Sequence, residues 1–361
     1  MVKLNAEAGR TGRGARTNPT GRYEPERRID GADGCDWGDP DPPPPVRTTL
    51  SVDRARTIIA RNDSPDVPFD RSINPYRGCE HGCVYCFARP THAYLGLSPG
   101  LDFETRLFHK PDAVALLDAA LRAPGYAPEP LALGANTDPY QPIERDLRLT
   151  RGVIETLVAF RHPFTVITKS DLVLRDLDLL ARAAADRLAG VAVSVTTLDR
   201  RLARALEPRA PTPAKRLHAI RRLSEAGVPV AILASPMIPG LTDHELDAIL
   251  QAGRDAGATT ANTILVRLPL EIAGLFEDWL RAHVPDRADR VLSLIRQCRG
   301  GALNHATFGR RMRGEGPYAD LLAQRFRRAC NHLGLGPRAW DLRTDLFRVP
   351  LATATQHALD I

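Results

Sequence analysis

The sequence predicts an α/β fold: a partial (β/α)6 barrel of parallel strands, with a disordered N-terminal tail and a helical C-terminal extension. Three observations predict it. Short apolar, β-rich runs alternate with longer helix-period stretches from about residue 50 onward. The five runs from Leu131 to Leu270 are nearly continuous in apolar residues, as strands covered on both faces must be. Successive runs are spaced by about 30–35 residues, the length of one βα unit. An open doubly wound sheet fits the same spacing; in either case chemistry belongs at the C-terminal ends of the strands.

Residues 1–48 hold Gly, Pro, Arg and Asp but almost no large apolar side chain, a composition that reads as disordered. Residues 1–28 carry seven basic and three acidic groups, whereas residues 29–48 carry one basic and five acidic groups. The halves cancel, so the tail reads as loose and self-screening, with a basic half able to touch nucleic acid. The core is assigned to 49–300 and the extension to 301–361, where the alternation stops.

Within the core the strand runs are Ser72–Gly78, Leu131–Asn136, Phe164–Ser170, Val191–Thr197, Val230–Met237 and Asn262–Leu270. The helical stretches are Pro111–Leu121, Leu149–Phe160, Leu174–Arg187, Thr212–Ala226 and Asp243–Ala256. Pro111 suits the first turn of a helix, and Gly227 and Gly257 stand where helix C-caps are expected.

A formal net charge of +6 permits a nucleic-acid partner without requiring one. There is no run of about 18 apolar residues and no apolar leader, so neither a membrane span nor a secretory signal is expected and the expected location is cytoplasmic. Six cysteines, three of them within eight residues, do not make a secreted disulfide framework.

Those three form the central motif, Asn74-Pro-Tyr-Arg-Gly-Cys79-Glu-His-Gly-Cys83-Val-Tyr-Cys86-Phe-Ala-Arg-Pro90, with the spacing C-x3-C-x2-C. Soft thiolates select zinc or iron–sulfur groups. A structural zinc wants four ligands, commonly as two cysteine pairs, and no second pair follows. Three cysteines on a cubane leave one iron open to a small molecule. Zinc completed by His81 or His92, and a redox disulfide loop, remain alternatives. Gly78 and Gly82 give the loop freedom to wrap.

Each later strand ends in residues a core would not choose: Asn136-Thr137-Asp138, Thr168-Lys169-Ser170, Ser194, Ser235 and Arg267. Five successive polar ends suggest a lined pocket. Glu104, Lys110 and Glu144 are weaker candidates, for which a solvated role serves as well. His218, His244 and His357 read as structural or exposed.

The cysteine spacing, with Tyr85 just before the third cysteine, resembles the radical S-adenosylmethionine superfamily. The longer string, NPYRGCEHGCVYCFARP followed by TDPYQPIE and ITKS, is similar to its spore photoproduct lyase-like (DNA repair photolyase-like) branch over roughly residues 50–350. The resemblance implies that Cys79, Cys83 and Cys86 hold a [4Fe–4S] cluster. It implies cofactor contacts from Tyr85 along the adenine, from Asn136, Thr137 and Ser194, and from Lys169 to the carboxylate, with Asp138 orienting its neighbours. The implied activity is reductive cleavage of S-adenosyl-L-methionine to a 5′-deoxyadenosyl radical that takes hydrogen from a substrate. The implied partners are a reducing donor such as a flavodoxin or ferredoxin, and DNA as a candidate substrate. Two departures weaken the repair reaction itself. Ala135-Asn136 stands near the strand end where the lyase places a hydrogen-donating cysteine, and Phe87 follows the third cluster cysteine where the lyase has tyrosine. Cys298 and Cys330 match neither position. The alternatives are a zinc- or iron–sulfur-binding nucleic-acid module without radical catalysis, and an electron-transfer protein.

Overall fold

The computed structural model describes residues 12–26, 46–337 and 340–351. Its strands are β1 (Thr49–Val52), β2 (Ile59–Arg61), β3 (Arg71–Ile73), β4 (Tyr76–Arg77), β5 (Arg106–His109), β6 (Leu131–Leu133), β7 (Phe164–Thr168), β8 (Ala189–Ser194), β9 (Val230–Met237), β10 (Thr260–Leu265) and β11 (Gly336–Pro337). The helices are α1 (Asp102–Thr105), α2 (Ala113–Leu121), α3 (Glu144–Leu147), α4 (Leu149–Ala159), α5 (Leu177–Ala185), α6 (Arg200–Leu206), α7 (Pro213–Glu225), α8 (Leu246–Asp255), α9 (Ile272–His283), α10 (Pro285–Gln297) and α11 (Pro317–Leu333).

The main sheet runs in the order β11-β10-β9-β8-β7-β6-β3-β2. From β3 to β11 every neighbouring pair is parallel, and β2 closes one edge antiparallel to β3. The six strands read from the sequence are therefore consecutive in space, as right-handed βα units require. Helices α2, α4, α5, α7 and α8 fall on the expected stretches, and short 3-10 turns at Asp171–Asp176 and Asp243–Glu245 take up the early parts of two of them.

Two faces of the strands meet different neighbours. Leu131, Leu133, Phe164, Val166, Val191, Val193, Val230, Ile232 and Ala234 point outward into the main core beneath the helices. Small residues line the other face: Ala192 and Ala231 gather with Leu233, Ile167 and Trp340. Because side chains alternate along a strand, Thr165 and Ile167 share the inner face with Lys169, Ala192 shares it with Ser194, and Leu233 shares it with Ser235. The register that buries the core thus delivers the polar strand ends into the barrel mouth. Trp340 plugs the interior against Gly190, where a β-carbon would lie 2.6 Å from the indole.

Three features of the structure go beyond what the sequence foretells. Within the stretch read as a disordered tail over 1–48, residues 12–26 are ordered, with Arg13, Gly14, Ala15 and Gly21 buried; residues 1–11 and 27–45, including Cys35, lie outside the described residues. Composition misleads there because these residues are held by backbone groups and by the polar side chains of Arg13, Asn18 and Arg22 rather than by large apolar side chains. A second small sheet, β1-β5-β4, was not foreseen. The extension beyond residue 300 contributes α11 but also a strand, β11, and the Trp340 plug. Among the described residues no helix is long and apolar enough to cross a membrane.

Candidate functional site

The cysteine loop leaves β4 and runs into a 3-10 helix at Arg89–Leu95. Its two glycines have positive φ, +76° at Gly78 and +68° at Gly82, which side chains with a β-carbon rarely adopt. Space is equally restrictive. A β-carbon on Gly78 would lie 2.8 Å from the Phe103 carbonyl oxygen, and one on Gly82 would lie 2.6 Å from Glu104 Oε2.

The loop is held by polar groups on every side. Gln141 accepts from the Glu80 N–H at 2.9 Å and donates to the Gly78 carbonyl at 3.1 Å, bracketing Cys79. Arg89, fully buried, donates to the carbonyls of Gly82 (3.1 Å), Cys83 (2.8 Å), Pro99 (3.2 Å) and Gly100 (2.9 Å), and pairs with Glu104 at 2.5 Å. Glu104 accepts in turn from the N–H groups of Gly14 (2.9 Å) and Ala15 (2.8 Å). Glu104 is therefore neither solvated nor a pocket residue: it anchors the loop to the N-terminal segment. Glu144 is likewise buried, accepting from Tyr76 and Thr150 and pairing with Arg175 at 2.7 Å, and Lys110 donates to the Asn74 carbonyl at 2.8 Å.

Cys79 and Cys83 are buried and Cys86 is partly exposed; all three are free thiols. Burial pushes the Cys83 thiol up to about 12 despite the nearby Lys169 cation. Burial pushes Cys79 well up too, helped by Asp138 and by the other two cysteines, which are near enough to raise it. Thiols in such surroundings ionise when a metal replaces the proton. Among the described residues no three His, Cys, Asp or Glu side chains converge as ligands of one ion. An iron–sulfur cluster does not need that convergence, because each thiolate takes a different iron. The histidines considered as completing a zinc site are engaged elsewhere. His81 Nδ1 meets Asp138 at 3.3 Å, while His92 Nε2 meets the Arg106 carbonyl at 2.9 Å and its ring lies edge-on to Phe103 and Phe108.

Tyr85 points into the barrel. Its hydroxyl donates to Glu207 and lies 3.1 Å from Thr196 Oγ1. The Lys169 ammonium sits 5.8 Å from the Tyr85 ring centroid and has no other hydrogen-bond or ion-pair partner among the described residues. Burial opposes that cation, but Cys83 and Glu207 outweigh burial and leave its pKa raised. The Ser194 hydroxyl, at the last residue of β8, is also without a hydrogen-bond partner among the described residues. The other named residues are partly spent on the scaffold. The Asn136 N–H donates to Asn74 Oδ1 at 3.0 Å, and the Thr137 hydroxyl donates to the Tyr76 carbonyl at 3.0 Å. Asp138 accepts from the Thr168 hydroxyl (2.7 Å), the Lys169 N–H (2.8 Å) and the Tyr140 N–H (2.9 Å). Burial disfavours its carboxylate, yet His81 and these donors hold it at about 2. Asp138 is thus an orienting group that fixes the β7 end on which Lys169 stands.

Phe87 is half exposed with the Arg267 guanidinium 4.6 Å from its ring centroid. His218 and His244 are exposed, and His357 lies outside the described residues. Cys298 is buried with Leu265, Ala319 and Leu322, and Cys330 belongs to the main core, so neither joins the cysteine loop. Sequence reading missed Gln141, Arg89, Glu207 and Arg216. Gln141 stood inside the quoted TDPYQPIE string, and Arg89 inside the cysteine motif, so both were within view; Glu207 and Arg216 had no local signal.

The described site matches known proteins at three levels. The family model described as the Radical SAM superfamily matches residues 73–252. A Mycobacterium tuberculosis protein named "Uncharacterized protein Rv2578c" is 42% identical over 234 residues, covering 64% of this chain and 68% of its own length. "Uncharacterized protein MJ0683" of Methanocaldococcus jannaschii is 30% identical over 173 residues, covering 48% of this chain and 62% of its own. Among solved structures, a spore photoproduct lyase variant with bound AdoMet and dinucleoside spore photoproduct superposes with a TM-score of 0.57 at 19% identity, covering 79% of this chain and 80% of that one. With a cysteine loop at the mouth of a parallel partial barrel and these matches to it, the chain belongs to the radical SAM superfamily.

Proposed function

We propose that this chain is an enzyme that binds a [4Fe–4S] cluster through Cys79, Cys83 and Cys86 and S-adenosyl-L-methionine at the adjoining strand ends. One observation carries the reading. The Lys169 ammonium, beside the cysteine loop and next to the free Ser194 hydroxyl, has no acidic or hydrogen-bonding partner among the described residues. A buried or half-buried ammonium without a partner is costly, and a bound carboxylate removes that cost. AdoMet is bound in the lyase structure named above, and superfamily membership supports the same cofactor here. When bound, the reduced cluster and S-adenosylmethionine supply a 5′-deoxyadenosyl radical able to take hydrogen from an unactivated C–H bond.

The chain's own residues bind, orient and exclude water. Lys169 pairs with the carboxylate of the cofactor. Ser194 offers a hydroxyl at the neighbouring strand end, and the Tyr85 ring supplies a flat apolar face. Asp138 keeps Lys169 in place through its backbone N–H. The Ala192, Ala231, Leu233 and Trp340 floor keeps the interior dry, which protects a reactive species from side reactions.

The test is anaerobic reconstitution of the full chain with iron and sulfide, followed by reduction with S-adenosylmethionine present. The expected result is iron and sulfide in cubane proportion and 5′-deoxyadenosine as a product. Cys83→Ala should lose the iron, whereas Lys169→Met should keep it and lose most S-adenosylmethionine binding. Zinc as the sole bound metal would refute the reading.

A further inference from the structure

One buried carboxylate ties the cysteine loop to the end of β8. Glu207, immediately after α6, is 1% exposed. It accepts hydrogen bonds from the Tyr85 phenol, from the Thr196 hydroxyl at 2.8 Å, and from the Arg216 guanidinium. Arg216 on α7 is also 1% exposed and donates to the Ser194 carbonyl at 3.1 Å and the Pro211 carbonyl at 2.8 Å. The backbone joins the same parts: the Val84 N–H donates to the Leu206 carbonyl at 3.0 Å. Side chain and main chain therefore fasten the segment between the second and third cysteines to the strand end that carries Ser194.

We infer that Glu207 is a positioning residue for S-adenosylmethionine, holding the Tyr85 ring below the Lys169 ammonium and, through Arg216, holding Ser194 in register with that ring. The inference rests on the function proposed above and adds to it a residue that touches neither cofactor nor substrate. A phenol ring packed only by apolar contacts can rock about its bond to the backbone. With its hydroxyl fixed by a buried carboxylate, the ring has one orientation, and a ligand that lies along it meets a surface already in place.

Charge balance supports the same role. Three charged side chains meet here: Glu207, Arg216 and Lys169. The guanidinium satisfies Glu207 directly, while Lys169 faces the Tyr85 ring and makes no ion pair with the carboxylate among the described residues. Arg216 thus keeps Glu207 from capturing Lys169, and one positive charge stays available for the carboxylate of the ligand. Without Arg216 the buried Glu207 would need another cation, and Lys169 is the nearest candidate.

The test compares the full chain, reconstituted anaerobically with iron and sulfide, with Tyr85→Phe and Glu207→Gln. Tyr85→Phe keeps the ring and removes only the hydroxyl. Iron and sulfide content, the S-adenosylmethionine dissociation constant by equilibrium dialysis, and the change in the electron paramagnetic resonance signal of the reduced cluster on adding S-adenosylmethionine are read for each. Both variants should hold iron like the wild type. Both should bind S-adenosylmethionine about tenfold more weakly, the scale of one hydrogen bond to a charged group. The resonance change should be complete only at correspondingly higher concentration, with KM raised more than kcat is lowered. A purely structural role would lower iron content or stability and leave the dissociation constant of the iron-loaded fraction unchanged. Iron-loaded Tyr85→Phe that binds S-adenosylmethionine as the wild type does would overturn the inference, even if Glu207→Gln does not fold. Failure of the wild type itself to hold iron or bind S-adenosylmethionine would instead sink the proposed function, and this inference with it.

Discussion

Gly14 lies against Gly82 so closely that a β-carbon on Gly14 would sit 1.8 Å from the Gly82 carbonyl oxygen. The N-terminal segment is thus laid directly on the cysteine loop. It is fixed there by the Gly14 and Ala15 N–H groups on Glu104 and by Arg13, which donates to the Glu104 carbonyl at 2.9 Å and to the Val46 carbonyl at 2.7 Å. Gly14→Val cannot keep this contact, so the segment should lift away. Overpacking costs about 1–3 kcal/mol, which raises the open population by roughly fivefold to a hundredfold. Trypsin cleavage after Arg13 and Arg16 should quicken by a similar factor, and Gly274→Ala, at an exposed position of α9 with nothing within 4 Å, serves as the comparison. Equal cleavage rates in wild type and Gly14→Val would show that the segment is not held.

Arg89 and Glu104 form an ion pair that ties the cysteine loop to α1, at 2.5 Å with both side chains fully covered. The arginine also supplies the donors for four loop carbonyls. Arg89→Met leaves a buried carboxylate with only two backbone donors and strips the carbonyls of their partner. Removing one member of such a pair costs about 3–5 kcal/mol. Arg89→Lys should recover little of this, because a single ammonium cannot span four separated carbonyls as a planar guanidinium does. Urea unfolding of both variants checks the loss; an unchanged midpoint for Arg89→Lys would remove the geometric argument.

How far the sequence could be read follows the range of the interactions concerned. The barrel strands were legible because burial on both faces leaves a local mark, an unbroken apolar run such as Val230–Ala234. That the three cysteines share one loop and that Lys169 stands at a strand end was legible, because close spacing and strand ends are local features of the sequence. Glu207 was not, since its meaning depends on Tyr85, 122 residues earlier, and on Arg216 from the next helix. Residues 12–26 were misread for a related reason: their order comes from contacts about 90 residues away, Gly14 with Glu104, and no local pattern encodes them. The β1-β5-β4 sheet was missed because its strands are two to four residues long and mostly exposed in β1.

Gly190 and Trp340 set the floor of the barrel. A β-carbon at Gly190 would stand 2.6 Å from two ring carbons of the indole, so Gly190→Ala must displace Trp340 or shift β8. The expected cost is about 1–3 kcal/mol. Trp340→Leu in the same chain makes room, so the double variant should lose less than the sum of the two single changes. A double-mutant cycle by urea unfolding measures the difference, and strict additivity would show that the contact carries no energy.

His162 gives the chain a pH-dependent stability that does not involve the cysteine loop. The ring is fully buried, with Nε2 2.8 Å from the Tyr126 hydroxyl and Nδ1 2.9 Å from the Pro163 carbonyl, and burial lowers its pKa from 6.5 to about 4. In the unfolded chain the ring titrates near its ordinary value, so between these two values the unfolded state binds the extra proton and the folded state does not. Stability is therefore fully present above about pH 6.5 and falls as pH drops toward 4, by roughly 3 kcal/mol from this group for a shift of that size. His162→Gln keeps a polar side chain but cannot titrate. Its stability should be lower than that of the wild type near neutral pH, through the weakened contact with Tyr126, and should decline less steeply between pH 6.5 and 4. Urea midpoints collected across that window decide the matter: parallel declines in the two proteins would mean that His162 is already protonated, or exposed, in the folded chain.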